Sequence, residues 1–98
     1  MEVRLTVSFL DWLRSLRDSR ARDRIAKRLV RLEAGLFGDV KYFSGIGELW
    51  IDYGPGYRPY FLQRNGELII LLCGGDKSSK EQDIATALRM AKDVKHDH

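Results

Sequence analysis

The stretch Glu48-Leu49-Trp50-Ile51-Asp52-Tyr53-Gly54-Pro55-Gly56-Tyr57-Arg58-Pro59-Tyr60-Phe61-Leu62-Gln63-Arg64-Asn65-Gly66-Glu67-Leu68-Ile69-Ile70-Leu71-Leu72-Cys73 reads as three consecutive strands. Its β-branched and aromatic residues suit a pleated surface, and both interruptions are turn chemistry. Gly54-Pro55-Gly56 makes the first turn, and Asn65-Gly66 is the pair that supplies the positive φ angles of a two-residue hairpin. An antiparallel meander follows. Taking 54–56 as a three-residue loop sets Tyr53 opposite Tyr57 and Asp52 opposite Arg58; the next hairpin sets Arg58 opposite Cys73. One face then collects Leu49, Ile51, Tyr53, Tyr57, Pro59, Phe61, Leu68, Ile70 and Leu72. The other is mixed, with Trp50, Asp52, Arg58, Tyr60, Ile69, Leu71 and Cys73, and Asp76 and Lys77 at its edge. Pro59 removes a ladder donor from a central strand, so a bulge or a slip of register is expected near it.

Upstream of Val40 the period is helical. Ser8 with Asp11 resembles a capping box, and Phe9, Trp12, Leu13 and Leu16 share the face that follows. Asp18-Ser19 interrupts the pattern and caps a second helix, whose stripe is Ala21, Ile25, Leu29 and Leu32 and whose stop is Gly35. These two helices are expected to form a hairpin over the apolar sheet face. Glu2 to Thr6 suits a short first strand. Downstream, Gly74-Gly75 closes the sheet, Ser79 with Gln82 caps a last helix, and Ile84, Leu88 and Ala91 face inward from it. The expected class is α+β, one domain over 1–98: an N-terminal strand and helical hairpin on an antiparallel sheet of three to four further strands, with a C-terminal helix.

Ninety-eight residues suffice for one small core, and 44% hydrophobic with 32% charged residues is the composition of an ordinary soluble globule. Cys73, alone, makes no internal disulfide, and no apolar run approaches the roughly 20 residues that span a bilayer. Met1 to Thr6 has no signal-peptide core, so a cytoplasmic location away from membranes is expected. The net charge of +3 is unevenly spread: Arg14 to Arg31 holds eight basic residues against Asp18 and Asp23, which makes that segment +6 and the remainder −3. Arg17, Arg20, Arg24, Lys27, Arg28 and Arg31 form a stripe on the outer helix faces. Such a stripe fits nucleic acid or an acidic protein segment, and equally a solvated helix face.

Three segments carry a family resemblance. Glu48 through Arg58, then Leu71-Leu72-Cys73-Gly74-Gly75-Asp76-Lys77-Ser78-Ser79, then Asp83-Ile84-Ala85 closely resemble the HigB-like "addiction module killer protein" branch of the RelE/ParE superfamily. Trp12-Leu13 and the run from Arg28-Leu29 to Gly35 extend the match, which covers the chain from Phe9 to about Met90. The resemblance implies a toxin neutralised by a helix-turn-helix antitoxin encoded beside it, the pair capable of a higher-order complex on operator DNA. It implies mRNA cleavage in the ribosomal A site as the activity, with ribosome and mRNA as partners and no cofactor. Arg58, in Gly-Tyr-Arg, matches the arginine that contacts the scissile phosphate in such enzymes, and Lys77, after Gly-Gly-Asp, falls near a second basic position. Trp50 stands where the family usually has arginine, and Pro59 departs from a Tyr-Arg-Val-Tyr pattern.

Cleavage by a neighbouring 2′-hydroxyl needs a base, cations for the phosphorane oxygens and an acid for the leaving oxygen. Histidine often does this, but His96 and His98 sit in the C-terminal tail, where fraying is expected. Arg58 suits transition-state charge, because its guanidinium stays ionised and offers a fixed fork. Its structural alternative is a cross-strand pair with Asp52. Lys77 is a base, a phosphate contact or a solvated lysine; Asp76 is a turn or cap residue. RNA contacts are expected from Trp50, Tyr57, Tyr60, Lys41 and Lys80, with packing as the competing role of the aromatics. The acids and terminal histidines make no metal constellation. Two further function classes stay open: a gyrase-poisoning ParE-like toxin, and an attenuated partner that only binds antitoxin or nucleic acid. Ribosome-dependent cuts in mRNA separate the nuclease from both, and gyrase-dependent DNA breaks separate the second.

Overall fold

The structure, a computed structural model, describes residues 1–96, with side chains through Val94. In chain order the elements are β1 (Glu2–Leu5), α1 (Val7–Ser15), α2 (Ser19–Glu33), β2 (Val40–Phe43), β3 (Ile46–Leu49), β4 (Tyr57–Arg64), β5 (Leu68–Asp76), a 3₁₀ turn (Lys77–Ser79) and α3 (Lys80–His96). One five-stranded sheet runs β1-β5-β4-β3-β2, antiparallel except for β1, which lies parallel to β5. The expected α+β order is therefore observed, with four strands after the helices.

Local chemistry explains the boundaries. Asp18 caps α2, accepting from the Arg20 amide at 2.9 Å and more loosely from Ala21 at 3.4 Å. Gly35 takes φ +80 and ends that helix, and Asn65 and Gly66 take φ 52 and 70 in the β4–β5 hairpin. Helix α1 starts earlier than Ser8 suggested: Thr6 is its cap, accepting from the Phe9 amide at 3.1 Å while its hydroxyl donates to the Leu72 carbonyl at 2.7 Å. One side chain thus caps the helix and ties it to β5. The last helix is likewise entered through Asp76, whose carboxylate accepts from Ser78 N at 2.8 Å, while Ser79 Oγ accepts from the Asp76 amide at 3.3 Å. Ser79 serves inside this capping box rather than opening the helix.

The register differs from the one the turn at 54–56 suggested. Ile51, not Tyr53, faces Tyr57, so the loop is two residues longer and Asp52 is not opposite Arg58. Across the next hairpin Arg58 pairs with Gly75, Pro59 with Gly74 and Tyr60 with Cys73; the register then shifts between Tyr60 and Phe61. That irregularity lies two residues from Pro59, whose own pairing with Gly74 is kept. The sheet continues through Gly74-Gly75 to Asp76. The β4–β5 turn holds three residues, Asn65, Gly66 and Glu67, rather than the expected two, since Arg64 pairs with Leu68. That one-residue slip puts Ile69 and Leu71 in the helical-hairpin core and Leu68 and Ile70 on the opposite face, and the extra residue next to Tyr60 turns both Leu72 and Cys73 to that opposite face.

Both faces are covered. Helices α1 and α2 pack Phe9, Ala21, Ile25, Leu29 and Leu32 against Leu49, Ile51, Tyr57, Phe61, Ile69 and Leu71. Helix α3 brings Ala87 and Ala91, with Ile84 and Leu88, onto Ile46, Tyr60, Leu62, Ile70, Leu72 and Cys73. The face read as mixed is thus mostly a second core, and α3 leaves only its far end open. Gly74 marks how closely the first layer sits: a Cβ there would come within 2.3 Å of the Trp12 ring.

Candidate functional site

The open end of the α3-side face forms a cleft of about 410 Å³, lined by Asp39, Trp50, Ile51, Asp52, the Gly54-Pro55-Gly56 turn, Arg58 and Lys77. Arg58 enters from the start of β4. Lys77 enters from the 3₁₀ turn because Gly75, two residues before it, is the β-partner of Arg58. Gly56 has φ +81, and a Cβ there would lie 3.6 Å from Lys77 Cβ, so the loop rests directly on that turn. The far side of the loop is held to α2: Tyr53 donates its hydroxyl to Asp18 Oδ2 at 2.9 Å, and Arg24 stacks 4.6 Å from the Tyr53 ring centroid. That hydrogen bond is the main cause that lowers the Asp18 pKa and raises that of Tyr53.

Arg28, read from sequence as part of the outer basic stripe, has a different position. Its guanidinium donates to the carbonyls of Trp50 (2.8 Å), Phe37 (2.8 Å) and Asp39 (3.1 Å). Burial lowers its pKa, yet a guanidinium stays charged and supplies the fixed donor fork this needs. Arg28 therefore fastens the Trp50 wall of the cleft to α2. Arg24, Lys27 and Arg31 remain outward and, with Arg28, line an adjoining depression of about 320 Å³ that shares Asp39, Trp50, Ile51 and Asp52 with the cleft. The cationic face of α2 and the Arg58–Lys77 cleft meet at Trp50.

At the floor lies Glu48, fully buried. Arg58 Nη1 donates to its Oε1 at 3.3 Å, and Trp50 Nε1 donates to the same oxygen. Arg58 also stacks on Trp50, 4.7 Å from the ring centroid, and its side chain is only 13% exposed. The structural partner of Arg58 is thus Glu48 on β3, not Asp52 in the loop. Tyr60, directly across the strand pair from Glu48, is also fully buried. Its hydroxyl and Glu48 Oε2 have no partner in hydrogen-bond geometry, and burial first, then the Glu48 carboxylate, push the Tyr60 pKa far up.

The residues expected to act together are divided by the fold. Arg58, Lys77 and Trp50 share the cleft. Tyr57 is buried on the opposite face, edge-on to Trp12 at 6.2 Å, and Tyr60 is enclosed under α3; neither offers a ring face for a base to stack on. Lys41 is exposed on edge strand β2, 5.8 Å from the Phe43 ring, and Lys80 lines a separate depression with Lys77 and Ser78. The Cys73 thiol is buried, pushed up to about 12 by desolvation and then by Asp83. His98 and the side chain of His96 lie outside the described residues. Among the described residues no three His, Cys, Asp or Glu side chains cluster as a metal site would require, and no helix is long and apolar enough to cross a membrane. Glu48, Arg28 and Tyr53 are the participants that sequence reasoning missed. Only the i, i+2 spacing of Glu48 and Trp50 signalled that those two share a face.

An uncharacterized protein of Haemophilus influenzae is 45% identical over 95 residues, which is 96% of each chain. The chain belongs to that protein's family. No family model matches it. Among solved structures, a chain of the intact E. coli RelBE toxin-antitoxin complex superposes with a TM-score of 0.60 at 18% identity, covering 76% of this chain and 94% of that one. The likeness is one of fold alone: strand, helical hairpin, sheet and C-terminal helix follow the arrangement of that chain.

Proposed function

We propose that this chain is the toxin of a type II toxin–antitoxin pair, of the HigB-like branch, and that it cleaves mRNA on the ribosome without a metal. The observation that carries the reading is the convergence of Arg58 and Lys77, from separate elements, on one cleft that opens onto the cationic face of α2. A polyanion following Arg24, Lys27 and Arg31 would reach Trp50 and then the two cations. Arg58 neutralises charge on the phosphorane oxygens, and its fork fits two of them. Lys77, exposed at the rim, is the base for the 2′-hydroxyl, with water protonating the leaving 5′-oxygen, or it is a second phosphate contact, with water both taking the 2′-hydroxyl proton and supplying the one the 5′-oxygen gains. Trp50 offers the ring face turned from Arg58 to an unstacked base. Lys41 and Lys80 contribute field rather than contact. Ribosomal alignment of the substrate supplies the positioning that such a sparse site lacks.

A second reading has one observation in its favour. Arg58 is paired with a buried carboxylate and covered by Trp50, which suits a chain that binds antitoxin or nucleic acid but cleaves weakly. Under either reading the partner is a helix-turn-helix antitoxin, and an acidic segment of it complements the α2 cations. Induced expression in bacterial cells separates them: the nuclease reading requires growth arrest that Arg58→Ala abolishes at equal protein level. Arrest that persists in a folded Arg58→Ala protein overturns the assignment.

A further inference from the structure

Glu48 is a charged side chain with no exposure at all, on a strand whose neighbours Gly47 and Leu49 are also buried. A carboxylate in such a place is costly unless paired, and apolar replacement of a buried pair is often as stable, so stability alone is a weak reason for its presence. Its surroundings point elsewhere. Glu48 does not line the cleft, yet both side chains that donate to its Oε1, Trp50 and Arg58, do. One buried atom therefore fixes two walls of the cleft.

The geometry of Arg58 gives this a direction. Among the described residues its guanidinium makes one side-chain hydrogen bond, the 3.3 Å contact from Nη1 to Glu48, and one stacking contact, on Trp50. The ring lies against the guanidinium, and the carboxylate holds its Nη1. The other guanidinium donors have no hydrogen-bond partner among the described residues, and Arg58 lines the cleft; a planar fork so held meets two phosphate oxygens without losing the rotamer freedom of a loose arginine. Arg58 meets the carboxylate at Oε1 alone, so the two groups do not form a closed bidentate pair that would remove Arg58 from use.

We infer that Glu48 is a positioning residue, which sets the orientation of Arg58 toward a phosphate in the cleft through a single carboxylate oxygen shared with the Trp50 indole. This rests on the phosphate-contacting role proposed for Arg58. Glu48→Gln tests it, because the amide keeps size and an acceptor oxygen but removes the charge that holds the guanidinium. Two readouts are needed: the Arg58 Nε–H signal by NMR during titration with inorganic phosphate, and cleavage of ribosome-bound reporter mRNA.

The expected result is that phosphate shifts the Arg58 signal in the wild type, that Glu48→Gln weakens this response about tenfold, and that turnover falls about 10- to 100-fold with KM changed less than about threefold, as misorientation at a reacting group does. Wild-type phosphate response and turnover in a folded Glu48→Gln protein would overturn the proposal, leaving Glu48 as a neutraliser of buried charge. Faster cleavage would also overturn it, since Glu48 would then restrain Arg58. If the wild type cleaves no RNA, the proposed function fails, while the phosphate titration still decides the role of Glu48. No response of Arg58 to phosphate in the wild type counts against it. Should Glu48→Gln not fold, Glu48→Asp keeps the charge, withdraws the carboxylate by one methylene, and must weaken the same phosphate response.

Discussion

Replacing Trp50 with Ala separates two roles that have opposite signs. The indole is 42% exposed, stacks on Arg58 at 4.7 Å and donates to the buried Glu48 carboxylate. Its backbone carbonyl, held by Arg28, is unaffected by the change. A cation–π contact at a partly exposed site contributes about 0.5 to 1 kcal/mol. A hydrogen bond to a charged acceptor contributes about 1.5 to 3 kcal/mol, part of which water recovers once the cleft is open. The net loss should be about 1 to 2 kcal/mol, read as a lower urea midpoint at unchanged m-value. If Trp50 is a platform for an unstacked base, binding of a labelled single-stranded RNA also weakens, by about 1 to 3 kcal/mol or roughly 5- to 150-fold in Kd. Anisotropy titrations must be run at one fixed salt concentration, because the α2 cations make binding salt-dependent. Equal or tighter RNA binding by the folded variant would refute the platform role and leave Trp50 as a plug over Arg58.

Other changes test the architecture behind the cleft. Arg28→Ala removes three charge-assisted bonds to carbonyls and should cost about 2 to 4 kcal/mol in thermal or urea unfolding, with Arg28→Lys recovering less than half. Gly47→Ala puts a Cβ 2.2 Å from the Phe61 ring, which is fully buried and has nowhere to retreat; a loss of about 1 to 3 kcal/mol is expected from a melting curve. The Asp76 carboxyl is held below its ordinary value, chiefly by the Ser78 hydroxyl. Its contribution to stability is therefore complete above the unfolded value of about 3.9 and is lost as pH falls through the lower folded one. Asp76→Asn should flatten stability-against-pH below about pH 4 while lowering it near neutrality, measured by urea midpoints across that range.

What a sequence can reveal here follows from what each signal depends on. Helix faces, the Gly35 stop, the Asp18 cap and the place of the Asn65-Gly66 turn, though not its third residue, are local, and local chemistry decided them. Register is not local. A period of two means that one extra residue reverses every assignment beyond it, and Leu68 to Cys73 is apolar at every position, so alternation could not reveal which residues face which core. The longer loop before Tyr57 then moved Arg58 from Asp52 to Glu48, while the three-residue turn and the irregularity near Pro59 moved its β5 partner from Cys73 to Gly75. The cleft could be anticipated through Arg58, Lys77 and Trp50 because cations and an aromatic on one face are unusual in a small core. Arg28 could not be separated from its neighbours, because its distinction lies in three carbonyls brought to it by the chain at 37–50. Tyr57 and Tyr60 misled for the opposite reason: a tyrosine can serve a core or a surface, and only the placement of α1 and α3 decides which.

The most direct measurement is primer-extension mapping of a reporter mRNA during in vitro translation, with the wild-type protein and with Arg58→Ala, both verified as folded. Cuts within ribosome-occupied codons that appear with the wild type and vanish with the variant are the predicted result. Identical cuts from both proteins, or none from a folded wild type, would contradict a nuclease centred on Arg58.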